Sequence, residues 1–264
     1  MILKRNREIE VMAKAAVINR EALEEVEKAL RPGVSTAELN DIAEDAILSR
    51  GGNPAFKGYR GFPATLCTSL DDIVVHGFPD KDPLRSGSIL SIDIGTFYEG
   101  YAADMAKTYA IGAVSDEVQT LLDATEASLY AGIAAAQVGN RLGDVSAAIQ
   151  KVVEARGFWV VREFVGHGIG RKFHEGPEVP NYGRAGTGPA LRPGLVLAIE
   201  PMVTQRQTSV SILDDGWTAP TADGSLAAHF EHTVAITKEG PRILTARDQS
   251  PEHHVDTKGG VYGT

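Results

Sequence analysis

The stretch ILSIDIGTFYEGYAADMAKTYAIG, residues 89 to 112, constrains this chain more than any other. Two arms rich in Ile, Tyr and Thr meet at Glu99-Gly100, an acidic residue and a glycine between alternating apolar positions, which predicts a β-hairpin. Asp93 lies on one arm and Asp104 on the other, with their midpoint close to the tip. A short hairpin sets two such carboxylates opposite or diagonal to one another, on one face if the register allows. Like charges in apolar surroundings need compensation, and a shared proton, a basic partner or a metal cation can each supply it.

The rest of the chain gives the hairpin its setting. Residues 6 to 31 carry Ile9, Met12, Ala16, Ala22, Val26 and Leu30 at helical spacing and end at Arg31-Pro32-Gly33. Ser35 with Glu38 is a capping-box signature for a second helix that Gly51-Gly52 stops. After the hairpin, Ser115 opens a helix to about Gln137, and Asp144 opens another that closes at Arg156-Gly157. A shift of 106 residues aligns Gly33 with Gly139, Leu39 with Val145, Ile47 with Val153, and Arg50-Gly51 with Arg156-Gly157. This repeat predicts two halves of similar build in an α+β body, with helices packed on one side of a mostly antiparallel sheet. From Phe158 the chain reads as strands and turns, through WVVREFVGHGIG, LVLAIEPMVT, SVSILDD and AHFEHTVAIT, the last ending at Lys238-Glu239-Gly240. Residues 1 to 245 are expected to form one domain, and residues 246 to 264, which include His253-His254, a polar tail.

Composition narrows the class. A formal net charge of −9 and a pI near 5.3 argue against a nucleic-acid-binding surface covering the whole protein, and leave a local basic patch open. The single Cys67 excludes an intrachain disulfide, and the start MILKRNREIE lacks the apolar core of a signal peptide. No apolar run approaches the roughly 18 residues of a membrane span. A soluble cytoplasmic protein is expected.

Ionisable residues recur inside the apolar strand-like stretches: Asp93, Asp104, His167 in VGHGIG, Glu200 in LAIEPMV and Glu231 in HFEHTVAIT. Four carboxylates and one imidazole, if they converge, match two divalent cations in charge. Hard oxygen donors with one histidine point away from a structural Cys/His zinc site and toward a two-metal hydrolase. Rival constellations are absent: there is no G-x-S-x-G elbow, no phosphate-binding Gly-Lys loop, and HFEH is not H-E-x-x-H. Residues 53 to 63 set Phe56, Tyr59 and Phe62 among glycines and prolines, more aromatic surface than a solvated loop needs.

VHGFP (75 to 79), the DIG…AAD hairpin (93 to 104), GHGIGRKFHEGP (166 to 177), AIEPMV (198 to 203) and FEHT (230 to 233) together resemble the type I methionine aminopeptidases, in order, over about residues 3 to 245. The resemblance implies the pita-bread fold, whose internal pseudo-twofold fits the 106-residue repeat. It implies two divalent ions (Mn, Fe, Co, Zn or Mg), with Asp93 on one, Asp104 and Glu231 bridging both, and His167 and Glu200 completing the other site. Glu200 would move the proton of the attacking water, His174 would hydrogen-bond the scissile amide, and His76 would contact the departing nitrogen. Phe56, Tyr59, Phe62, Cys67, Phe173 and Trp217, with His76 and His174, would line a pocket for an unbranched thioether. The implied partners are the N-termini of nascent polypeptides, with the ribosome as their source, and a monomer is expected.

This chain departs from the family pattern at three places: Asp71 stands where Asn is usual, in a turn associated with a monovalent cation; His229 replaces a usual Gln; and Phe56 occupies a position that is often Cys. The 31-residue step from Glu200 to Glu231 leaves no room for the helical insertion of type II enzymes. X-Pro aminopeptidases and dipeptidases share this metal set but carry an additional N-terminal domain. Binding modules of the same fold have lost the ligands that this chain keeps.

Overall fold

A computed structural model describes residues 1–247. Four α-helices run from Asn6–Ala29 (α1), Thr36–Ser49 (α2), Asp116–Ala135 (α3) and Leu142–Ala155 (α4). The strands through the hairpin are β1 (Asn53–Pro54), β2 (Leu66–Leu70), β3 (Ile73–Val75), β4 (Ile89–Tyr98) and β5 (Tyr101–Ala110). Those beyond it are β6 (Trp159–Val160), β7 (Gly166–Gly168), β8 (Glu175–Val179), β9 (Val196–Ile199), β10 (Met202–Thr204), β11 (Ala219–Pro220), β12 (Ala227–His229), β13 (Glu231–Thr237) and β14 (Gly240–Ile243). The main sheet runs β1-β4-β5-β13-β9-β7-β8, with β2 also on β4 and β14 also on β13, every pairing antiparallel. Two smaller sheets, β12-β10-β6 and β11-β3, accompany it.

The halves repeat as the sequence predicts. Helix α2 begins at Thr36 and α4 at Leu142, and they end at Ser49 and Ala155, so both offsets are 106 residues. Gly33 and Gly139 precede them with φ of 92° and 100°, a left-handed conformation that glycine adopts without steric cost. Ser35 Oγ accepts the Glu38 N–H, and the Glu38 carboxylate accepts the Ser35 N–H in return. In α4 the reciprocal role falls to Asp144, which accepts the Arg141 N–H at 2.7 Å. Asp144 therefore sits in the first turn of α4 and Leu142 opens the helix, two residues earlier than expected.

Alternation along β4 explains why helices cover only one face. Leu90, Ile92 and Ile94 pack with Leu39 and Ile47 of α2, whereas Asp93 and Gly95 point to the other face. On the second half, Leu197, Ile199, Val234 and Ile236 pack on α3 and α4. The latter two helices approach closely at Gly132, where a Cβ would lie 2.7 Å from Ile149 Cγ1.

Two expectations fail. SVSILDD forms no strand: it makes an isolated bridge at Val210 and hydrogen-bonds the two-residue β11, where Ser211 N–H donates to the Pro220 carbonyl, too short a partner to build a ladder, and Ile212 and Leu213 stay exposed. The chain also does not end its sheet at Gly240: Lys238-Glu239 is a tight turn, and β14 returns on β13 with Val234 opposite Ile243. Nearly all of the expected tail, with His253-His254, lies outside the described residues.

One ion pair ties the N-terminus to the site. Lys4 Nζ reaches Glu175 Oε2 at 2.7 Å with both side chains almost wholly buried, at the start of β8 immediately after His174. Lys4→Met strands a buried carboxylate and is expected to cost about 3–5 kcal/mol, read as a lower urea midpoint with an unchanged slope.

Candidate metal centre

The hairpin turns at Glu99 and Gly100, both with positive φ (47° and 78°), the pattern of a two-residue turn that matches strand twist. Its register sets Asp93 opposite Ala106 and Asp104 opposite Gly95. The two aspartates are thus diagonal neighbours on one face. On the other side of β5, Glu231 also pairs with Ala106, so a single methyl group separates Asp93 and Glu231 in one cross-strand row. His167 on β7 lies opposite Ala198 of β9, and Glu200 follows β9 directly, next to the strand that carries Glu231. Glycines flank His167 because its strand is packed tightly: a Cβ on Gly166 would lie 2.4 Å from the Ala198 carbonyl oxygen.

All five residues predicted to bind metal meet in one cavity. Donor atoms of Asp104, His167 and Glu231 lie within 4.8 Å of one another, as do those of Glu200, His229 and Glu231. His167 Nδ1 lies 2.9 Å from the Gly168 carbonyl, so it carries the proton and donates, leaving the Nε2 lone pair free. That Nε2 faces Glu200 Oε1 at 3.5 Å and Asp104 Oδ2 at 3.8 Å. The ion-pair partners of these carboxylates among the described residues are histidines, and burial keeps His167 down at about 3.

The electrostatics are those of a site short of positive charge. Burial pushes the Asp93 carboxyl up to about 7, against an opposing hydrogen bond from Asp104. Asp104, Glu200 and Glu231 are driven well above the ordinary carboxylate range, first by burial and then by one another's charge. Asp93 Oδ1, Asp104 Oδ1 and Glu231 Oε1 are buried without a hydrogen-bond partner. Unpaired buried carboxylate oxygens are costly, and oxygen-rich donors converging on one point fit hard or borderline divalent cations.

The cavity encloses about 200 Å³, and all eight predicted substrate-contacting residues line it. Phe56 meets Phe173 edge-on at 5.3 Å between ring centres, and Phe62 meets Trp217 edge-on at 5.2 Å. Cys67 lies opposite Asp93 on β2, and burial holds its thiol well above the ordinary range, so it is a wall rather than a nucleophile. Tyr59 Oη is 2.8 Å from His174 Nδ1, and the His174 ring centre lies 4.2 Å from that of His167, the two planes inclined at 52°. His76 holds a left-handed backbone (φ 63°) and is lowered to about 4, chiefly by burial. Arg60, Phe164 and Met202 also line the cavity. Met202 stands in the AIEPMV motif and was open to the same reading, whereas Phe164 has no motif around it. Asp71 keeps its carboxylate on the Ser88 hydroxyl and the Ile89 N–H, at the start of β4. A larger cavity of about 340 Å³ lies against Tyr130 and His232 and includes Glu231 alone among the candidate ligands.

Buried carboxylates and a histidine donor at the centre of a pseudo-twofold antiparallel sheet define a metal-dependent hydrolase. The model of metallopeptidase family M24 matches residues 10–238. A methionine aminopeptidase of Clostridium perfringens is 53% identical over 93% of this chain and 98% of its own length, and methionine aminopeptidase 1 of Bacillus subtilis is 49% identical over 93% and 99%. The crystal structure of the methionine aminopeptidase from Thermotoga maritima superposes with a TM-score of 0.92 at 44% identity, covering 94% of this chain and all of that one. The prolidase of Pyrococcus furiosus shares the fold, with a TM-score of 0.74 at 21% identity. The chain belongs to metallopeptidase family M24, and within it to the methionine aminopeptidases. Its fold is the pita-bread fold, and it is a metal-dependent aminopeptidase.

Proposed function

We propose that residues 1 to 245 form one catalytic unit that removes the initiator methionine from nascent polypeptides with a small second residue. The observation that carries this is the joining of the carboxylate–histidine cluster to an aromatic and thiol-walled cavity of about 200 Å³, deep enough for one unbranched side chain. Asp93, Asp104, His167, Glu200 and Glu231 would hold two divalent ions, with manganese, iron, cobalt, zinc and magnesium all compatible with such donors. When bound, the ions supply an acidified water and polarise the scissile carbonyl.

The chain's own groups do the rest. Glu200 takes the water proton on its carboxylate and returns it to the leaving amine. Tyr59 donates to His174 Nδ1, so the neutral His174 ring donates from Nε2 toward the amide oxygen. His76, neutral at physiological pH, contacts the departing nitrogen from its buried position beside Trp217. Phe56, Phe62, Phe173 and Trp217 exclude water and limit side-chain breadth. The reaction is expected to take place in the cytoplasm, on chains emerging from the ribosome, with the protein acting as a monomer.

Incubation with manganese or cobalt and the peptides Met-Ala-Ser and Ala-Pro-Ala tests the reading. Release of free methionine from the first and no cleavage of the second is expected. Cleavage of Ala-Pro-Ala in place of Met-Ala-Ser would transfer the chain to X-Pro chemistry, and binding of neither metal nor peptide would make it a non-catalytic module.

A further inference from the structure

We infer that His229 is a sixth protein donor in the metal centre, adding a second imidazole on the ion held by Glu200 and Glu231. The inference rests on the dinuclear reading above and goes beyond it, because that reading uses five ligands and one histidine. His229 closes β12, is 2% exposed, and its Nε2 is buried without a hydrogen-bond partner. That nitrogen lies 3.7 Å from Glu200 Oε2, beyond the range of a hydrogen bond to it. Two donors about 2.0–2.2 Å from one tetrahedral ion are about 3.4 Å apart, so closing the gap asks for a shift of only a few tenths of an ångström. The donor atoms of Glu200, His229 and Glu231 fall within the same 4.8 Å span as those of Asp104, His167 and Glu231, and Glu231 is common to both sets.

The backbone holds His229 in place for this. Thr108 Oγ1 accepts the His229 N–H at 2.8 Å and donates to the His229 carbonyl at 2.9 Å, while also bonding Ser91 Oγ at 2.8 Å. Ser91 and Thr108 face each other across the hairpin that carries Asp93 and Asp104, so one element fixes both sides of the centre. Residues two apart on an extended chain share a face. His229 and Glu231 point to the carboxylates, and Phe230 between them packs into the opposite core. A second neutral imidazole adds no charge but softens the donor set, favouring zinc, cobalt or iron over manganese and magnesium.

The test uses the full chain stripped of metal and reloaded with cobalt. X-ray absorption at the cobalt edge is expected to count two imidazoles per pair of ions in the wild type and one in H229Q. Competition against a chelator should show zinc held about 10- to 100-fold more weakly by H229Q. If H229Q does not fold, nitrogen NMR of histidine-labelled wild type during zinc addition replaces it, with two ring Nε2 resonances expected to move to the metal-bound range. One imidazole in the wild type, with no change in H229Q, overturns the inference and leaves the five-ligand centre standing. Weaker zinc binding in H229Q at an unchanged imidazole count also overturns it, making His229 a support for Glu200. Failure of the wild type to take up any ion removes the dinuclear reading and the inference together.

Discussion

Glu200→Gln is expected to slow hydrolysis of Met-Ala-Ser by about 10²- to 10⁴-fold in kcat, with KM little changed and the fold intact. The amide keeps an oxygen donor of similar shape, so the substitution removes the site of proton transfer more than the site of binding. In the metal-free chain burial raises the proton affinity of Glu200, and the charges of Asp104 and Asp93 add to it. Cations held by Glu200 and its neighbours would offset the aspartate charges and favour the ionised carboxylate, so that Glu200 meets the water as a base and keeps its proton only until the amine leaves. Steady-state kinetics at saturating cobalt, with metal content measured on the same samples, separates the two contributions. Wild-type turnover in a fully loaded variant would remove Glu200 from proton transfer. Loss of rate in step with loss of metal would make it a ligand only.

How much of this was legible in the sequence follows from the range of the forces involved. The hairpin was readable because its turn is set by two adjacent residues, and period-2 alternation then fixes which face Asp93 and Asp104 share. The repeat was readable because left-handed glycines and helix stops are local devices, so Gly33/Gly139 and Arg50-Gly51/Arg156-Gly157 mark equivalent boundaries without knowledge of packing, whereas the N-cap at Arg141, which offers no short polar side chain, was missed in favour of Asp144. Convergence of the five candidate ligands depends on β13 inserting between β5 and β9, a long-range pairing that no periodicity encodes. There the spaced motifs and the resemblance they carry supplied what local reasoning lacked. SVSILDD failed for the same reason in reverse: alternation gave it strand character, yet its partner is the two-residue β11, too short to build a ladder. His229 stood out in the sequence only as a departure. Its meaning appears once Thr108 and Ser91 hold its backbone against the hairpin and its ring meets Glu200.

Removing the metal should destabilise the protein, and increasingly so as pH rises. A ligand at about 100 times its dissociation constant stabilises the native state by about 2.7 kcal/mol per site, which for a chain of this size corresponds to roughly 5–10 °C in melting temperature for each ion lost. The pH dependence comes from the carboxylates. Asp93 has an ordinary value of 3.8 and stands at about 7 in the folded, metal-free chain; Asp104, Glu200 and Glu231 are also raised well above their ordinary values. A raised folded-state value means that the native state holds protons the unfolded state has released, so this contribution is fully present below the unfolded value and is lost as pH rises through the folded one. Buried histidines act with the opposite sign, since His76, His167, His229 and His232 fall from 6.5 to about 3 or 4, but that contribution is complete once pH exceeds the unfolded value. Above about pH 6.5, then, the carboxylates dominate, and chelator-treated protein should melt at progressively lower temperature while the cobalt-loaded protein changes little. The gap between the two should widen with pH across that window. A gap that stays constant would mean that the carboxylates are compensated by something other than a cation, and no gap at all would mean that the cluster holds no ion that matters to the fold.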